Sequence, residues 1–436
     1  MRIGLAIFSL LIVTIFFHQA IQLLQTKRYS MRHIVVMLFV SVLMIGLMKV
    51  FSSFTMINQP FYYILPAATG SILLKLLCNE RVAIAMSIVY GMMASLLFNG
   101  DVAGVLNAHV AIYVVLSQFA AIFLLVHTKK RQSIVKAGAG AAVMNSLTVL
   151  FVVFISFEKY SWYDLFLYAG YGVAGALLSV ILTYGLLPFI DSGLGILTDS
   201  KLLTLSNPNH KLLRKILTEA PGTYHHSIMV ANLSESACEA IGARGLLARV
   251  GAYYHDLGKT LNPHYFIENQ MGMKNPHDFL KPEQSATIII NHPYDGAELL
   301  KKEKLPKEII DIAKQHHGTT LLKYFYFQAK EEDEFASEMS FRYPGPKPQT
   351  KEAAIVCICD SVEAAVRSLD HPTTEEIKRI VHAIVEDRLL DGQFDECSLS
   401  FKELKTIENA ICETLQGIFH SRIQYPDQHS IIKEAK

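Results

Sequence analysis

The residues with the clearest chemistry are an adjacent histidine and aspartate, His255 and Asp256, in the string Tyr-His-Asp-Leu-Gly-Lys. An imidazole nitrogen and a carboxylate are ligands for divalent cations, and the two oxygens of one carboxylate can serve two cations. The remaining residues of ligand type are His226, His292, His316, His317 and Asp360. This ordered series of histidines and aspartates predicts a metal centre in which the Asp256 carboxylate serves two cations.

The apolar surroundings of the two aspartates support metal binding. Asp360 lies inside an otherwise apolar helical stretch, where an unpaired carboxylate is costly to bury. Asp256 follows an apolar helical stretch, and the dipole at a helix C-terminus disfavours a negative charge unless a cation lies beside it. A single histidine of the series would fit a capping or core position, but the seven residues together favour a metal centre.

The composition divides the 436 residues into two unlike halves. The chain is 51% hydrophobic and 18% charged, whereas soluble domains have about 25% charged residues, so part of it is expected in lipid. Residues 1–190 contain 12 Lys and Arg against 4 Asp and Glu, and residues 191–436 contain 28 against 35. The acidic second half argues against nucleic acid as a partner.

Apolar runs long enough to cross a bilayer recur through residues 1–190. We place seven of them, near 3–24, 33–54, 60–78, 82–99, 104–127, 137–157 and 163–190, with Pro66 and Gly70 able to break the third. Lys and Arg collect in the first, third and fifth loops, so the positive-inside rule places the N-terminus outside and residues after the seventh run in the cytoplasm. Few ionisable residues lie within the runs, which favours an anchor or ligand-sensing bundle over a transporter.

The second half has helical rather than strand patterns. Residues 191–209 form a predicted linker with helical propensity. Amphipathic helices are expected at about 210–219, 223–241, 244–256, 283–291, 294–303, 306–316, 352–369, 374–389 and 401–421. Capping-box patterns precede the last two, at Thr373 with Glu376 and at Ser400 with Glu403. The predicted fold class is all-α, a seven-helix transmembrane bundle at 1–190 followed by a cytoplasmic helical domain at 210–436.

Four longer strings resemble one enzyme family. They are residues 219–227, 253–259, 315–320 and 341–349, which read EAPGTYHHS, YYHDLGK, QHHGTT and FRYPGPKPQ. They resemble the HD-domain phosphohydrolases, and most of all the seven-transmembrane HD family, the PgpH-type cyclic di-AMP phosphodiesterases of bacteria. Members of that family carry an extracytoplasmic domain before the bundle. This chain starts at the bundle, so we expect a truncated or a naturally short form.

The resemblance implies a site for two divalent metal ions. One ion would bind His226, His255, Asp256 and Asp360, the other would bind Asp256, His292, His316 and His317, and Asp256 would bridge them. Imidazole and carboxylate ligands together suit Mn or Fe better than Mg. The catalytic residues would be Asp256 and Lys259, and the candidate substrate contacts are His225, Arg342 and Lys347.

The expected reaction opens cyclic di-AMP to linear pApA, with a hydroxide held between the two ions attacking phosphorus. Lys259 would contact a phosphate oxygen or assist the leaving group, unless it is a solvated lysine at a helix end. Arg342 and Lys347 would reach the second phosphate, unless they belong to a plain surface loop.

Three rival functions stay open at this point. The first is a cyclic di-GMP phosphodiesterase, although its Gly-Tyr-Pro motif is replaced here by Gly318-Thr-Thr. The second is a hydrolase of guanosine tetraphosphate or of a deoxynucleotide, and the third is a receptor that binds nucleotide without turnover. The expected partners are a cyclic dinucleotide and the lipid bilayer, and the sequence leaves a homodimer open.

Overall fold

The computed structural model of the chain describes residues 2–25, 31–55, 59–99, 106–126, 132–155, 161–194, 197–270, 272–369 and 372–419. Several basic residues of the first and fifth loops, on which the predicted membrane orientation depends, lie outside these ranges: Lys27, Arg28, Lys129, Lys130 and Arg131. The chain divides into two compact units, Met1–Ser200 and Lys201–Lys436.

The first unit consists of apolar helices at the predicted positions. They are α1 (Arg2–Gln25), α2 (Met31–Thr55), α3 (Ala68–Leu77), α4 (Glu80–Leu97), α5 (Ala108–Leu124), α6 (Gln132–Ile155) and α7 (Trp162–Leu194). Within the described ranges, five helices are long and apolar enough to cross a membrane, and the apolar helical segments Phe61–Leu77 and Ala108–Leu124 are shorter. Large apolar side chains such as Phe17, Phe154 and Phe166 are exposed on this unit, as expected for a surface in contact with lipid.

The third apolar segment is interrupted at Pro66, as predicted. A 3-10 helix at Gln59–Ile64 comes first, and α3 begins only at Ala68. Proline has no backbone N–H and disfavours a helical conformation at the preceding residue, so one helix does not run through this position. The Tyr113 hydroxyl of α5 donates to the Tyr63 carbonyl oxygen at 2.6 Å and ties the short helix to the bundle.

The second unit is also helical. Its helices are α8 (Asp199–Leu205), α9 (Lys211–Glu219), α10 (Pro221–Ala240), α11 (Gly245–Tyr254), α12 (Pro282–Lys302), α13 (Lys307–Gln315), α14 (Lys323–Glu332), α15 (Lys351–Arg367), α16 (Thr374–Leu390) and α17 (Phe401–Phe419). The described residues contain no named strand, only an isolated bridge between Leu321 and Arg342. The all-α fold class predicted from the sequence is therefore confirmed.

Helix α15 is the centre of this unit. It packs against α10, α11, α13 and α16, and its apolar run from Ala353 to Cys359 is buried throughout. The Thr350 side chain caps its first turn by accepting from the Ala353 backbone N–H at 3.2 Å. Both predicted capping boxes form as well, at Thr373 with Glu376 and at Ser400 with Glu403.

Two features of the second unit differ from the predictions. The two helices expected at 283–291 and 294–303 are the single helix α12, which continues through Pro293. Helix α14 was not predicted, because its sequence alternates aromatic and polar residues without a clear period. Residues 191–209, predicted as a linker with helical propensity, include the end of α7 and the whole of α8, where Leu202 and Leu205 are buried.

Close packing of α6 on α7 gives a testable prediction. A Cβ atom at Gly138 would lie 2.1 Å from the Val180 Cγ2 atom, whereas one at Gly185 would have no atom within 4 Å. Small residues at such contacts let membrane helices approach closely. Gly138→Leu should therefore lower the apparent melting temperature of the detergent-solubilised protein by several degrees, and Gly185→Leu should leave it nearly unchanged. Equal effects of the two variants in a thermal-shift assay would contradict this packing.

Candidate metal centre

The seven predicted ligand residues come together in the second unit, although they span residues 226 to 360. His226 lies near the start of α10, His255 and Asp256 follow α11, His292 lies in α12, His316 and His317 follow α13, and Asp360 lies in α15. All are buried except His317, whose side chain is 20% exposed. The site is therefore assembled from the ends or faces of five helices.

The first ligand group consists of His226, His255, Asp256 and Asp360, whose ligand atoms lie within 4.8 Å of one another. The Asp360 Oδ1 atom is 2.9 Å from His226 Nε2 and 3.4 Å from His255 Nε2. The second group consists of His292, His316 and His317 and meets the same limit. In it, the Nε2 atoms of His292 and His316 are 3.2 Å apart.

The Asp256 carboxylate joins the two groups through its two oxygens. Its Oδ2 atom is 3.2 Å from His255 Nε2 and 3.5 Å from His226 Nε2, on the side of the first group. Its Oδ1 atom is 3.1 Å from His292 Nε2 and 3.6 Å from His316 Nε2, on the side of the second. Neither oxygen has a hydrogen-bond partner of acceptable geometry among the described residues, and neither does His255 Nε2. Such buried polar atoms need a partner, and a pair of cations fits them.

Three of the histidines are oriented by backbone carbonyl groups that their own helices leave unused. The Nδ1–H groups of His255 and His316 donate at 2.7 Å to Ala252 and Ala313, whose carbonyl oxygens lie in the last turns of α11 and α13. Carbonyl groups in the last turn of a helix have no partner within it. Each ring is thereby fixed with its Nε2 lone pair directed into the site.

The orientation of His292 depends on the proline that follows it. Pro293 has no N–H, so the carbonyl oxygen of Ile289, four residues earlier, is left free in the middle of α12. The Nδ1–H of His292 donates to this oxygen at 2.6 Å. The proline thus supplies the acceptor that holds the ring, without ending the helix.

The site carries more negative than positive charge. Asp256, Asp360, Glu363 and Glu268 have side chains no more than 10% exposed, and the lysine among them, Lys259, has a side chain 12% exposed. The Lys259 ammonium lies 2.7 Å from Asp256 Oδ2 and 2.9 Å from Glu268 Oε1. Buried charges need partners, so this excess of carboxylates favours bound cations. Lys259 is not the solvated lysine considered above.

The pKa values have the directions expected of a cation site. Burial opposes ionisation of Asp256, but the charges of His255 and Lys259 hold its pKa well below the usual value. Burial lowers the pKa of His317 to about 3, which keeps that imidazole neutral. Burial also opposes a charge on His255, yet Asp256 and Asp360 raise its pKa to about 10. The negative potential that favours a proton on His255 favours a metal ion equally.

The predicted substrate contacts lie in different surroundings. His225 is exposed, and its ring contacts that of Tyr224. Arg342 donates to the Thr319 carbonyl oxygen at 2.8 Å and pairs with carboxylates of Glu338 and Asp391. Lys347 lies 3.3 Å from an Asp395 oxygen. The last two are thus already engaged within the protein, so any contact with substrate would compete with these bonds.

Sequence reasoning missed several residues around the ligands. Glu363 contacts the Nδ1 atom of His226, Tyr343 stacks on His317 with ring centroids 4.4 Å apart, and Phe266 meets the His292 ring edge-on at 5.4 Å. The spacing of Asp360 and Glu363, three residues apart on an apolar helix, was a usable signal because both then lie on one helix face. No comparable signal marked the aromatic residues.

Comparisons with known proteins agree with this fold and site. A family model described as a 7TM receptor with intracellular HD hydrolase matches residues 1–198, and the HD domain model matches residues 223–365. The chain is 50% identical over 410 residues to the cyclic-di-AMP phosphodiesterase PgpH of Bacillus subtilis, covering 94% of this chain and 58% of that protein. It is 44% identical over 427 residues to PgpH of Listeria monocytogenes, covering 97% and 59% respectively.

A solved structure is also similar in sequence. It is the HD domain of L. monocytogenes PgpH in complex with cyclic di-AMP, with 60% identity, a TM-score of 0.48, and coverage of 50% of this chain and 100% of that one. Because the HD domain model matches residues 223–365, the helical second unit, which holds the histidines around Asp256, is an HD domain. The chain belongs to the family of seven-transmembrane receptors with an intracellular HD hydrolase, whose model matches residues 1–198, and it is a multi-pass membrane protein. The chain spans slightly less than three fifths of the length of the two PgpH proteins.

Close approach of two backbones beside the site gives a second prediction. A Cβ atom at Gly258 would lie 2.0 Å from the His292 carbonyl oxygen and 2.7 Å from the Gly296 nitrogen. Gly258→Ala should therefore displace α12, and with it His292, from Asp256. We expect the metal affinity of the variant to fall at least about tenfold, as it does when groups that orient metal ligands are mutated.

The matched control is Gly417→Ala in α17, where a Cβ atom would have no atom within 4 Å. Both variants are measured by metal analysis after dialysis against a weak chelator. Wild-type metal retention in Gly258→Ala would show that this contact does not position His292.

Proposed function

We propose that the chain is a membrane-anchored, metal-dependent phosphodiesterase that hydrolyses cyclic di-AMP to linear pApA. The observation that carries this proposal is the Asp256 carboxylate, whose two oxygens each face a separate group of histidine nitrogens. The substrate is proposed from the activity in the names of the two PgpH relatives. The chain spans only part of those proteins, so their activity is inferred for it.

The proposed metal ions are two Mn or Fe ions. His226, His255, Asp256 and Asp360 would hold one, and Asp256, His292, His316 and His317 would hold the other. Five imidazoles with two carboxylates suit these metals better than Mg, which prefers oxygen ligands. Such a pair supplies an activated water and neutralises the charge of a phosphodiester.

Lys259 provides a fixed positive charge beside the ligands. Burial would lower its pKa, but Asp256 and Glu268 raise it, so the Nζ atom keeps its proton and cannot act as a base. An ammonium group has three donor hydrogens. One donates to Glu268 Oε1 at 2.9 Å, and Asp256 Oδ2 lies 2.7 Å from Nζ as an ion-pair partner. We propose that a remaining hydrogen donates to a phosphate oxygen of the substrate. His225, Arg342 and Lys347 remain candidate substrate contacts, the last two after exchange of their present partners.

The two units would have different functions. We propose that residues 1–190 form the membrane bundle, with 191–209 connecting it to the catalytic domain at 210–436. The distribution of Lys and Arg along the first half supports an outer N-terminus and a cytoplasmic HD domain. A homodimer is compatible with this arrangement.

The rival functions differ in substrate or in turnover. A receptor that only binds nucleotide has no need of a full set of ligands, and this chain has seven that come together. A hydrolase of cyclic di-GMP or guanosine tetraphosphate would use the same ions, so the substrate must be decided by assay.

The proposal predicts a substrate preference. Purified full-length protein loaded with Mn²⁺ should hydrolyse cyclic di-AMP with a kcat/KM at least about tenfold above that for cyclic di-GMP or guanosine tetraphosphate, about 1.4 kcal/mol in transition-state binding. Product formation by chromatography is the measurement, and Asp256→Ala is the inactive control because it removes the shared ligand. A preference for either other nucleotide would refute the substrate, and binding without turnover would favour the receptor.

A further inference from the structure

Glu363 is a buried carboxylate to which neither the metal ligation nor the reaction above assigns a role. It lies in α15, three residues after Asp360, and is 6% exposed. One of its oxygens contacts the Nδ1 atom of His226, and the other is 3.6 Å from the Arg367 guanidinium. Burying a carboxylate is costly, so the burial of Glu363 beside a proposed ligand needs an explanation.

The reason follows from the position of His226 in its helix. His255 and His316 use carbonyl groups left free at helix ends, and His292 uses the one freed by Pro293. His226 instead lies inside α10, at its sixth residue. There the carbonyl oxygen three residues earlier, that of Thr223, is the regular helix acceptor for the Ser227 N–H. The backbone therefore offers His226 no free acceptor, and a side chain from another helix is required.

Helix α15 provides this side chain together with a ligand. Asp360 Oδ1 lies 2.9 Å from His226 Nε2, and Glu363 Oε2 contacts Nδ1 of the same ring. Residues three apart lie on one face of a helix, so a single face of α15 holds both nitrogens of one imidazole. An acceptor at Nδ1 fixes the proton there and directs the Nε2 lone pair towards the first ligand group.

We infer that Glu363 is a positioning residue for the metal ion of the first group, which it affects through the orientation of His226. This inference rests on the proposed metal-dependent function. Among the described residues, Glu363 is the side chain that contacts a ring nitrogen of a proposed ligand histidine without being a proposed ligand itself. His255, His292 and His316 donate from Nδ1 to backbone oxygens, so no side-chain substitution removes their acceptors.

The test is Mn²⁺ binding to metal-free full-length protein in detergent, measured by equilibrium dialysis. The unsubstituted protein should bind two ions. In Glu363→Leu, one of the two dissociation constants should rise about ten- to a hundredfold, the range for lost partners of ligand histidines, while the other changes less than about twofold. Glu363→Gln keeps an acceptor oxygen without the charge, so its loss should be intermediate.

The matched control is Arg367→Gln. Arg367 is 41% exposed and lies near the Glu363 oxygen that does not contact His226, so both dissociation constants should remain as in the unsubstituted protein. The melting temperature of each metal-free variant is measured alongside.

Unchanged binding of both ions in Glu363→Leu and Glu363→Gln would overturn the inference and leave the proposed function intact. Weakening of both ions to the same extent, with a lower melting temperature of the metal-free protein, would mean that Glu363 only stabilises the fold, which also overturns it. If the unsubstituted protein bound no Mn²⁺, the metal centre itself would be refuted, and the inference with it.

Discussion

The burial of the Asp256 carboxylate is the constraint on which the second unit depends. This side chain is 1% exposed, and neither of its oxygens accepts a well-formed hydrogen bond from the described residues. An isolated carboxylate in such a place would cost several kcal/mol or take up a proton. Here its charge is maintained by the neighbouring imidazoles and by Lys259. The fold therefore encloses a negative charge that bound cations would neutralise.

The surrounding helices are arranged so that imidazoles point at this carboxylate. Helices α11 and α13 end one residue before a ligand histidine, and the free carbonyl groups of their last turns hold the rings. Helix α12 passes so close to the His255–Asp256 corner that only glycine fits at position 258. Helix α15 brings Asp360 and Glu363 to opposite nitrogens of one ring. Ends, breaks and close approaches of helices, more than loops, thus set the geometry.

The sequence predicted the ligand set because metal chemistry restricts residue types. A carboxylate within an apolar helix needs a cation or a hydrogen-bond donor beside it, and all seven residues came together in the folded chain. The break at Pro66 and the two capping boxes were predictable for a similar reason, since each depends on local backbone chemistry. Local signals of this kind do not require knowledge of the tertiary structure.

Most of the features that were missed depend on contacts between distant segments, and the continuation of α12 is a local exception. Pro293 predicted a helix end, but α12 continues because the free carbonyl oxygen it creates is taken up by His292. Arg342 and Lys347 looked available for phosphate, but they pair with Asp391 and Asp395, about fifty residues away. The proposed role of Glu363 depends on its contact with His226, which lies in another helix. The partners of Arg342, Lys347 and Glu363 cannot be read from a local pattern.

The most direct test of the shared carboxylate is to locate the metal ions relative to Asp256. Crystals of the protein grown with Mn²⁺ would be used for an anomalous difference map at a wavelength where manganese scatters strongly. We expect two peaks about 3.5–4 Å apart, the spacing of ions that share a ligand, with one Asp256 oxygen directed at each. A single peak, or two peaks of which only one has Asp256 as a ligand, would contradict the bridging role.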